Sequence, residues 1–193
     1  MTRDDAWNLV CEWTQSDALR RHMLGVEAAM RWYARKLGED IERWGITGLL
    51  HDFDYEKYPS APDHPIRGAE VLREKGYPED VVRAILGHAH WGGVERDTPL
   101  ARTLFAVDEL VGFIFACTYV QPSRSIADVK PASVKKKLKD KGFARAVSRE
   151  DIAQGIAELG IPADEHIANV IAALSEAAPA LGLGGAGLTP PAG

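Results

Sequence analysis

His51-Asp52 sits among four further side chains able to hold a divalent cation, with His22 ahead of it in the chain and His64, His88 and Asp108 behind it. Five of the six histidines fall between positions 22 and 90. Imidazole nitrogens and carboxylate oxygens are the donors that suit Fe, Mn, Zn and related ions, and the cluster has no cysteine, which argues against a structural zinc knuckle. No His-Glu-x-x-His segment occurs, so the simplest zinc motif is excluded. Several helices must therefore converge on one point, as they do in metal sites built inside helical bundles. A histidine in a helical protein is ordinarily a core or surface residue with no metal at all. Here the candidates end apolar runs: Ile46-Thr47-Gly48-Leu49-Leu50 leads into His51-Asp52, Ala84-Ile85-Leu86-Gly87 into His88, and Leu104-Phe105-Ala106-Val107 into Asp108. A polar group at the end of a buried stripe is costly without a partner, and a shared cation supplies one for all of them.

The order H…HD…H…H…D resembles the ligand pattern of the HD-domain superfamily of metal-dependent phosphohydrolases. The residues that carry the resemblance are His22 in Arg21-His22-Met23-Leu24-Gly25-Val26, His51-Asp52 in Leu49-Leu50-His51-Asp52-Phe53, and His64 in Asp63-His64-Pro65-Ile66-Arg67-Gly68-Ala69. They continue with His88 in Ile85-Leu86-Gly87-His88 and Asp108 in Ala106-Val107-Asp108-Glu109-Leu110, and the match covers roughly residues 15–120. The resemblance implies an all-α HD-domain helical bundle with a metal site in its core. It also implies divalent ions, two of them in many relatives. The first would be held by His22, His51, Asp52 and Asp108, and the second by His64 and His88, with Asp52 as the bridge. Iron and manganese head the candidates, ahead of Zn, Co, Ni and Mg. Ions about 3.5–4 Å apart can activate a water as nucleophile and clamp phosphoryl oxygens. Some nucleotidase relatives use His22, His51, Asp52 and Asp108 in this pattern for a single metal. Many relatives follow the dipeptide with a lysine that faces phosphate, whereas this chain reads His51-Asp52-Phe53-Asp54-Tyr55-Glu56-Lys57 and carries Tyr55 in that place.

Neighbouring residues on a helix point about 100° apart, so His51 and Asp52 can both reach the ions only from a terminal or irregular turn. His90 lies about 200° around from His88 on a common helix, which makes it a substrate or outer contact and, with Asp52, a catalytic candidate. Asp54 and Glu109 could accept the second N–H of a ligating imidazole. For Asp54 an exposed surface acid is the favoured reading. Beyond the ligands, Arg124 and the basic run Lys135, Lys136 and Lys137 are candidates for phosphate contact, weighed against a plain solvated face.

Composition fits one sizeable core: 193 residues, 46% hydrophobic and 26% charged, with a net charge of −5. That balance argues against nucleic-acid binding through a general basic surface, although a local basic patch remains open. Cys11 and Cys117 lie in apolar stretches, as reduced thiols of a cytoplasmic protein do. No segment has the ~18 apolar residues of a membrane span. Apolar periodicity predicts helices over 3–14, 17–37, 40–52, 63–75, 79–89 and 98–119, with Asp17 and Asp63 as caps. A basic helix over 133–139, one opened by Ser148 and a last one opened by Pro162 follow, with His166 expected in the exposed first turn of the last. The domain reading is a single unit over 1–178, its core at about 15–120 and a C-terminal helical extension at about 121–178. Residues 179–193, rich in Gly, Pro and Ala, read as a disordered tail. The function implied is hydrolysis of a small phosphorylated molecule, with nucleotides among the candidate classes, through metal-activated water. The alternatives are a mixed-valence diiron oxygenase built on the same ligands and a non-catalytic ligand-sensing helical module.

Overall fold

Thr2 opens the first helix by accepting from the Asp5 amide while the Asp5 carboxylate accepts from the Thr2 amide. This reciprocal box satisfies two donors that the helix itself cannot. The computed structural model describes residues 1–185. Helix α1 (Arg3–Trp13) buries Ala6, Leu9 and Val10, leaving Trp7, Cys11 and Trp13 half-buried on its flanks. Helix α2 (Asp17–Leu37) is capped by the Ser16 hydroxyl, which accepts from the Leu19 amide. Asp17, expected as the cap, stands instead in the first turn, where its charge opposes the helix dipole favourably. Helix α3 (Ile41–Leu50) is capped by Asp40.

The first three helices meet around a buried carboxylate. Glu27, 4% exposed, accepts from Arg3 of α1 at 2.7 and 2.9 Å and from Arg31 at 2.9 Å, while Arg31 also donates to Glu42 of α3. Paired in this way, the charge at Glu27 is tolerable inside the bundle. Gly48 lets α3 lie directly on α2, since a Cβ there would stand 2.9 Å from the Val26 carbonyl oxygen. Helix α4 spans Asp63–Glu74, but His64 has an extended backbone (φ −80°, ψ 134°), so regular turns start only at Pro65. The proline ring disfavours helical geometry in the residue before it. Asp63 is thus no cap, and its carboxylate accepts from Arg67. Helix α5 (Glu79–Gly87) packs on α3 and α4.

Helix α6 (Pro99–Tyr119) is the longest apolar element, and the chain divides within it into two compact units, Met1–Phe105 and the remainder from Ala106. The second unit holds a 3-10 turn at Ile126–Asp128, α7 (Pro131–Leu138), α8 (Arg149–Leu159), α9 (Ala163–Glu176) and α10 (Ala178–Leu181). Among the described residues no strand occurs, so the protein is all-α, with C-terminal helices beyond the ligand-bearing region. The expected tail from 179 begins too early. Leu181 and Leu183 are buried and the Ile126 amide donates to the Leu183 carbonyl, so these two side chains anchor a segment whose Gly/Ala composition reads as loose. The rest of that expected tail, 186–193, lies outside the described residues. No described helix is long and apolar enough to cross a membrane.

His166 is fully buried rather than exposed, its Nε2 at 2.9 Å from the Ala106 carbonyl oxygen. It shares a helical stripe with Asn169, Val170 and Ala173, while Asp164 and Glu165 provide the polar side of that turn. Burial pushes its pKa below the ordinary 6.5, with the Ala106 carbonyl acting in the opposite direction. The unfolded chain therefore takes up this proton first, and the stability contributed by neutral His166 is present above pH 6.5 and lost as pH falls toward the lowered folded value. Replacement His166→Gln keeps a donor for Ala106 and should make the decline of unfolding free energy as pH falls below 6.5 shallower than in the wild type. Urea unfolding of both proteins across that range checks it, and equal slopes would contradict the assignment.

Candidate metal centre

Leu50 is the last residue of α3, His51 occupies its C-terminal cap, and residues 51–57 continue as successive turns. The helix end needed to aim two adjacent side chains at one place is therefore present. The turn is pinned from the α1–α2 link: the Thr14 hydroxyl donates to the Phe53 carbonyl at 3.0 Å, and the Glu56 carboxylate accepts from the amides of Gln15 and Ser16 at 2.8 and 2.9 Å. Phe53 is fully buried, edge-on to Trp13 at 5.2 Å between ring centroids.

Asp52 stands in the middle of four imidazoles, and its two oxygens face different pairs. Oδ2 lies 3.5 Å from His51 Nε2 and 3.9 Å from His22 Nε2. Oδ1 lies 3.3 Å from His64 Nε2 and 3.4 Å from His88 Nε2. The opposite ring nitrogens are committed elsewhere: Nδ1 of His51 donates to the Gly48 carbonyl at 2.8 Å, Nδ1 of His88 to the Ile85 carbonyl, and Nδ1 of His64 to the Asp54 carboxylate at 2.8 Å. A carbonyl oxygen only accepts, so each neutral ring keeps its proton on Nδ1 and turns an Nε2 lone pair toward Asp52. His64 Nε2 and His88 Nε2 are 3.1 Å apart. Two lone pairs at that distance repel unless a positive charge serves both, and a proton or a divalent ion meets that need. One donor atom each from Asp52, His64 and His88 lies within 4.8 Å of the others, so this donor set fits a cation.

The electrostatics of the bare cluster agree. Burial disfavours charge on His64, but the Asp52 and Asp54 carboxylates outweigh it and raise its pKa to about 9. Burial likewise disfavours charge on Asp52, and His51, His64 and His88 nevertheless hold its carboxyl well below the usual carboxylate range. The cluster thus retains an ionised carboxylate and attracts positive charge.

Comparison with known proteins matches residues 19–111 to the family model of the HD domain. The chain carries an HD domain. HD domains are generally metal-dependent phosphohydrolases that bind divalent ions, and all six ligand candidates, His22, His51, Asp52, His64, His88 and Asp108, lie inside the matched stretch. Similar curated proteins include a ribonuclease Y of Nitratidesulfovibrio vulgaris, 29% identical over 146 residues that cover 72% of this chain and 24% of the relative. A ribonuclease Y of Thermosipho melanesiensis is 33% identical over 93 residues, covering 46% of this chain and 17% of the relative. The chain thus spans about a quarter or less of the length of these relatives. No solved structure matches.

Around this HD centre, the second ring of contacts corrects one expectation. Asp54 is 1% exposed and no surface acid: one oxygen accepts from His64 Nδ1 and the other from the Gly68 amide, both at 2.8 Å. The approach needs glycine, because a Cβ at Gly68 would stand 2.7 Å from the Asp54 carboxyl carbon. Glu109, the other candidate for that role, accepts from the Ser148 amide at 3.0 Å in the second unit. Tyr55, in the place of the relatives' lysine, is exposed and edge-on to the His64 ring. Lys57 lies over the Trp13 ring at 3.6 Å. His90 is exposed, with its ring edge-on to Phe105 at 5.6 Å. Asp108 is on α6 in the second unit, as are the basic candidates beyond it: Lys135 pairs with Asp164 at 2.8 Å, Lys137 lies over Phe143, and Arg124 and Lys136 are exposed. Trp91, which no motif singled out, donates its indole N–H to the His64 carbonyl.

Asp54 orients the His64 ring by accepting twice, and an amide in its place has one acceptor and a donor facing the Gly68 N–H. Replacement Asp54→Asn should lower affinity for Mn(II) about 10- to 100-fold with the fold intact. A chelator-competition titration measures this, and an unchanged affinity would contradict the positioning role.

Proposed function

We propose that this chain is a metal-dependent phosphohydrolase that cleaves an ester bond of a small phosphorylated molecule with two divalent ions. The supporting observation is the split of the Asp52 carboxylate between two pairs of imidazoles. In this reading Asp52, His64 and His88 would hold one ion, and Asp52, His22 and His51 would hold the other. The order of the HD motif gives Asp108 the last ligand position. Bound there, the ions supply Lewis acidity and a water of lowered pKa as nucleophile.

The protein's own groups do the rest. The Gly48 and Ile85 carbonyls and the Asp54 carboxylate lock three imidazoles with their lone pairs inward, so no reorientation is needed as charge develops on the substrate. Burial of His51, His64 and His88 keeps the donors in a low-dielectric setting where their interactions are stronger than in water. Exposed His90 is assigned to substrate contact and proton transfer to the leaving oxygen. Arg124 and Lys136, which carry no ion pair among the described residues, are the first candidates for phosphate contact, since Lys135 and Lys137 are already engaged. The name ribonuclease borne by the relatives is that of a phosphodiester-cleaving activity and agrees with this class of chemistry.

Protein reconstituted with manganese or iron and offered a panel of phosphomonoesters and phosphodiesters should release product equally with and without O₂. Replacement Asp52→Ala should remove both metal equivalents and reduce turnover to background. Full metal content in Asp52→Ala, turnover that requires O₂, or no hydrolysis of any ester would each contradict the reading.

A further inference from the structure

We propose that the second unit holds an anion site of its own, a lysine-lined cavity at α7 that binds a chain of linked phosphates such as a triphosphate. The inference gives Lys136 a place that does not depend on the reaction at the HD centre.

The cavity measures about 620 Å³ and is lined by α7, the residue before it and the first turn of α9. Four lysines, Lys130, Lys135, Lys136 and Lys139, face a single carboxylate there, that of Asp164. This concentration of cations stands in a chain whose net charge is −5. Lys135 is paired with Asp164 at 2.8 Å. The Lys130 ammonium has only a neutral partner, the Ala127 carbonyl at 3.3 Å. Lys136 and Lys139 are exposed and carry no ion pair among the described residues.

A solvated helix face ordinarily interleaves charges of both signs, whereas residues 130–139 hold four lysines of the cavity, Lys137 besides, and no acid before Asp140. Lys135 and Lys139 are four residues apart and Lys136 and Lys139 three, spacings at which like charges repel. The helix dipole favours cations in the last turn, where Lys135 and Lys136 sit. It disfavours one at the N-cap, and Lys130 occupies that position and lines the same cavity. A bound anion offsets the repulsion at both ends of the helix.

The size of the charge selects the anion. One phosphate monoester carries about −1.5 to −2 at neutral pH, less than the excess of four ammonium groups over one carboxylate. The eight residues of α7 separate the two ends by on the order of 12 Å, which a single phosphate does not bridge. Ammonium groups act as point charges and suit phosphate, while carboxylates are matched by the guanidinium fork, and no arginine lines the cavity. Nor do the described residues offer a strand edge to take the backbone of an acidic peptide.

Calorimetric titration of the full chain with inorganic triphosphate tests the site, first on the protein as purified and then after a chelator has removed metal. Binding should persist without metal, since none of the HD-centre imidazoles lines the cavity, and should weaken as salt rises. Lys130→Gln and Lys139→Gln should each lower affinity about 2- to 5-fold, and Lys139→Arg, which keeps the charge, should retain it. Asp164→Asn frees Lys135 and should tighten binding, a gain that damage to the fold does not produce. Adenosine 5′-triphosphate should bind like triphosphate, because no aromatic ring lines the cavity to hold its base, and orthophosphate should bind more weakly than either. Loss of binding with the metal, unchanged affinity in Lys139→Gln, or unchanged affinity in Asp164→Asn would each overturn the site. Tighter binding of a thymidine oligonucleotide or of oligoglutamate than of triphosphate would overturn it in favour of a nucleic-acid strand or an acidic peptide.

Discussion

A single carboxylate sets the terms for the first unit. Asp52 faces two imidazoles through one oxygen and two through the other, and the segments that carry His22, His51, His64 and His88 are positioned around that division. Such a gathering of lone pairs and negative charge is unfavourable by itself. The 3.1 Å approach of His64 Nε2 to His88 Nε2 beside an ionised carboxylate is stable only with positive charge among them. A proton on His64 meets the demand in the bare protein, consistent with the raised pKa near 9, and divalent ions meet it for the whole set.

The surrounding structure has the character of a frame that resists relaxation of this cluster. The end of α3 is stitched to the α1–α2 link through Thr14 and Glu56, so the His51-Asp52 turn cannot drift away from His22. The extended backbone of His64 follows from the proline behind it, and the ring is then fixed by Asp54 on one side while Trp91 holds the carbonyl. Glu27, shared between Arg3 and Arg31, performs the analogous service for the three helices themselves. Such contacts orient the candidate ligands, and outer partners of this kind are felt in the affinity of a metal site.

Much of this was legible in the sequence, for physical reasons that differ by residue. The helices α2, α3 and α6 could be read because apolar periodicity and helix-start signals act within a few residues. The ligand order could be read because donor type is a property of the side chain. Long-range facts were hidden. Asp54 looked like a surface acid because its burial depends on the missing Cβ of Gly68, fourteen residues away. The tail expected from 179 concealed Leu181 and Leu183 within a Gly/Ala-rich composition, and His166 was misplaced because two acids in the same turn suggested exposure. Ser16 outranked Asp17 as a cap through one residue of register. Trp91 had no local signal at all, since its partner is a backbone carbonyl.

The central claim is that Asp52 bridges a pair of ions, and anomalous diffraction from crystals of the manganese-loaded protein tests it most directly. Two anomalous peaks are expected, one on each side of the Asp52 carboxylate and about 3.5–4 Å apart, with His64 and His88 on one and His22 and His51 on the other. A map with no peak in reach of Asp52, or with a lone ion that leaves one of its oxygens uncoordinated, would contradict the account.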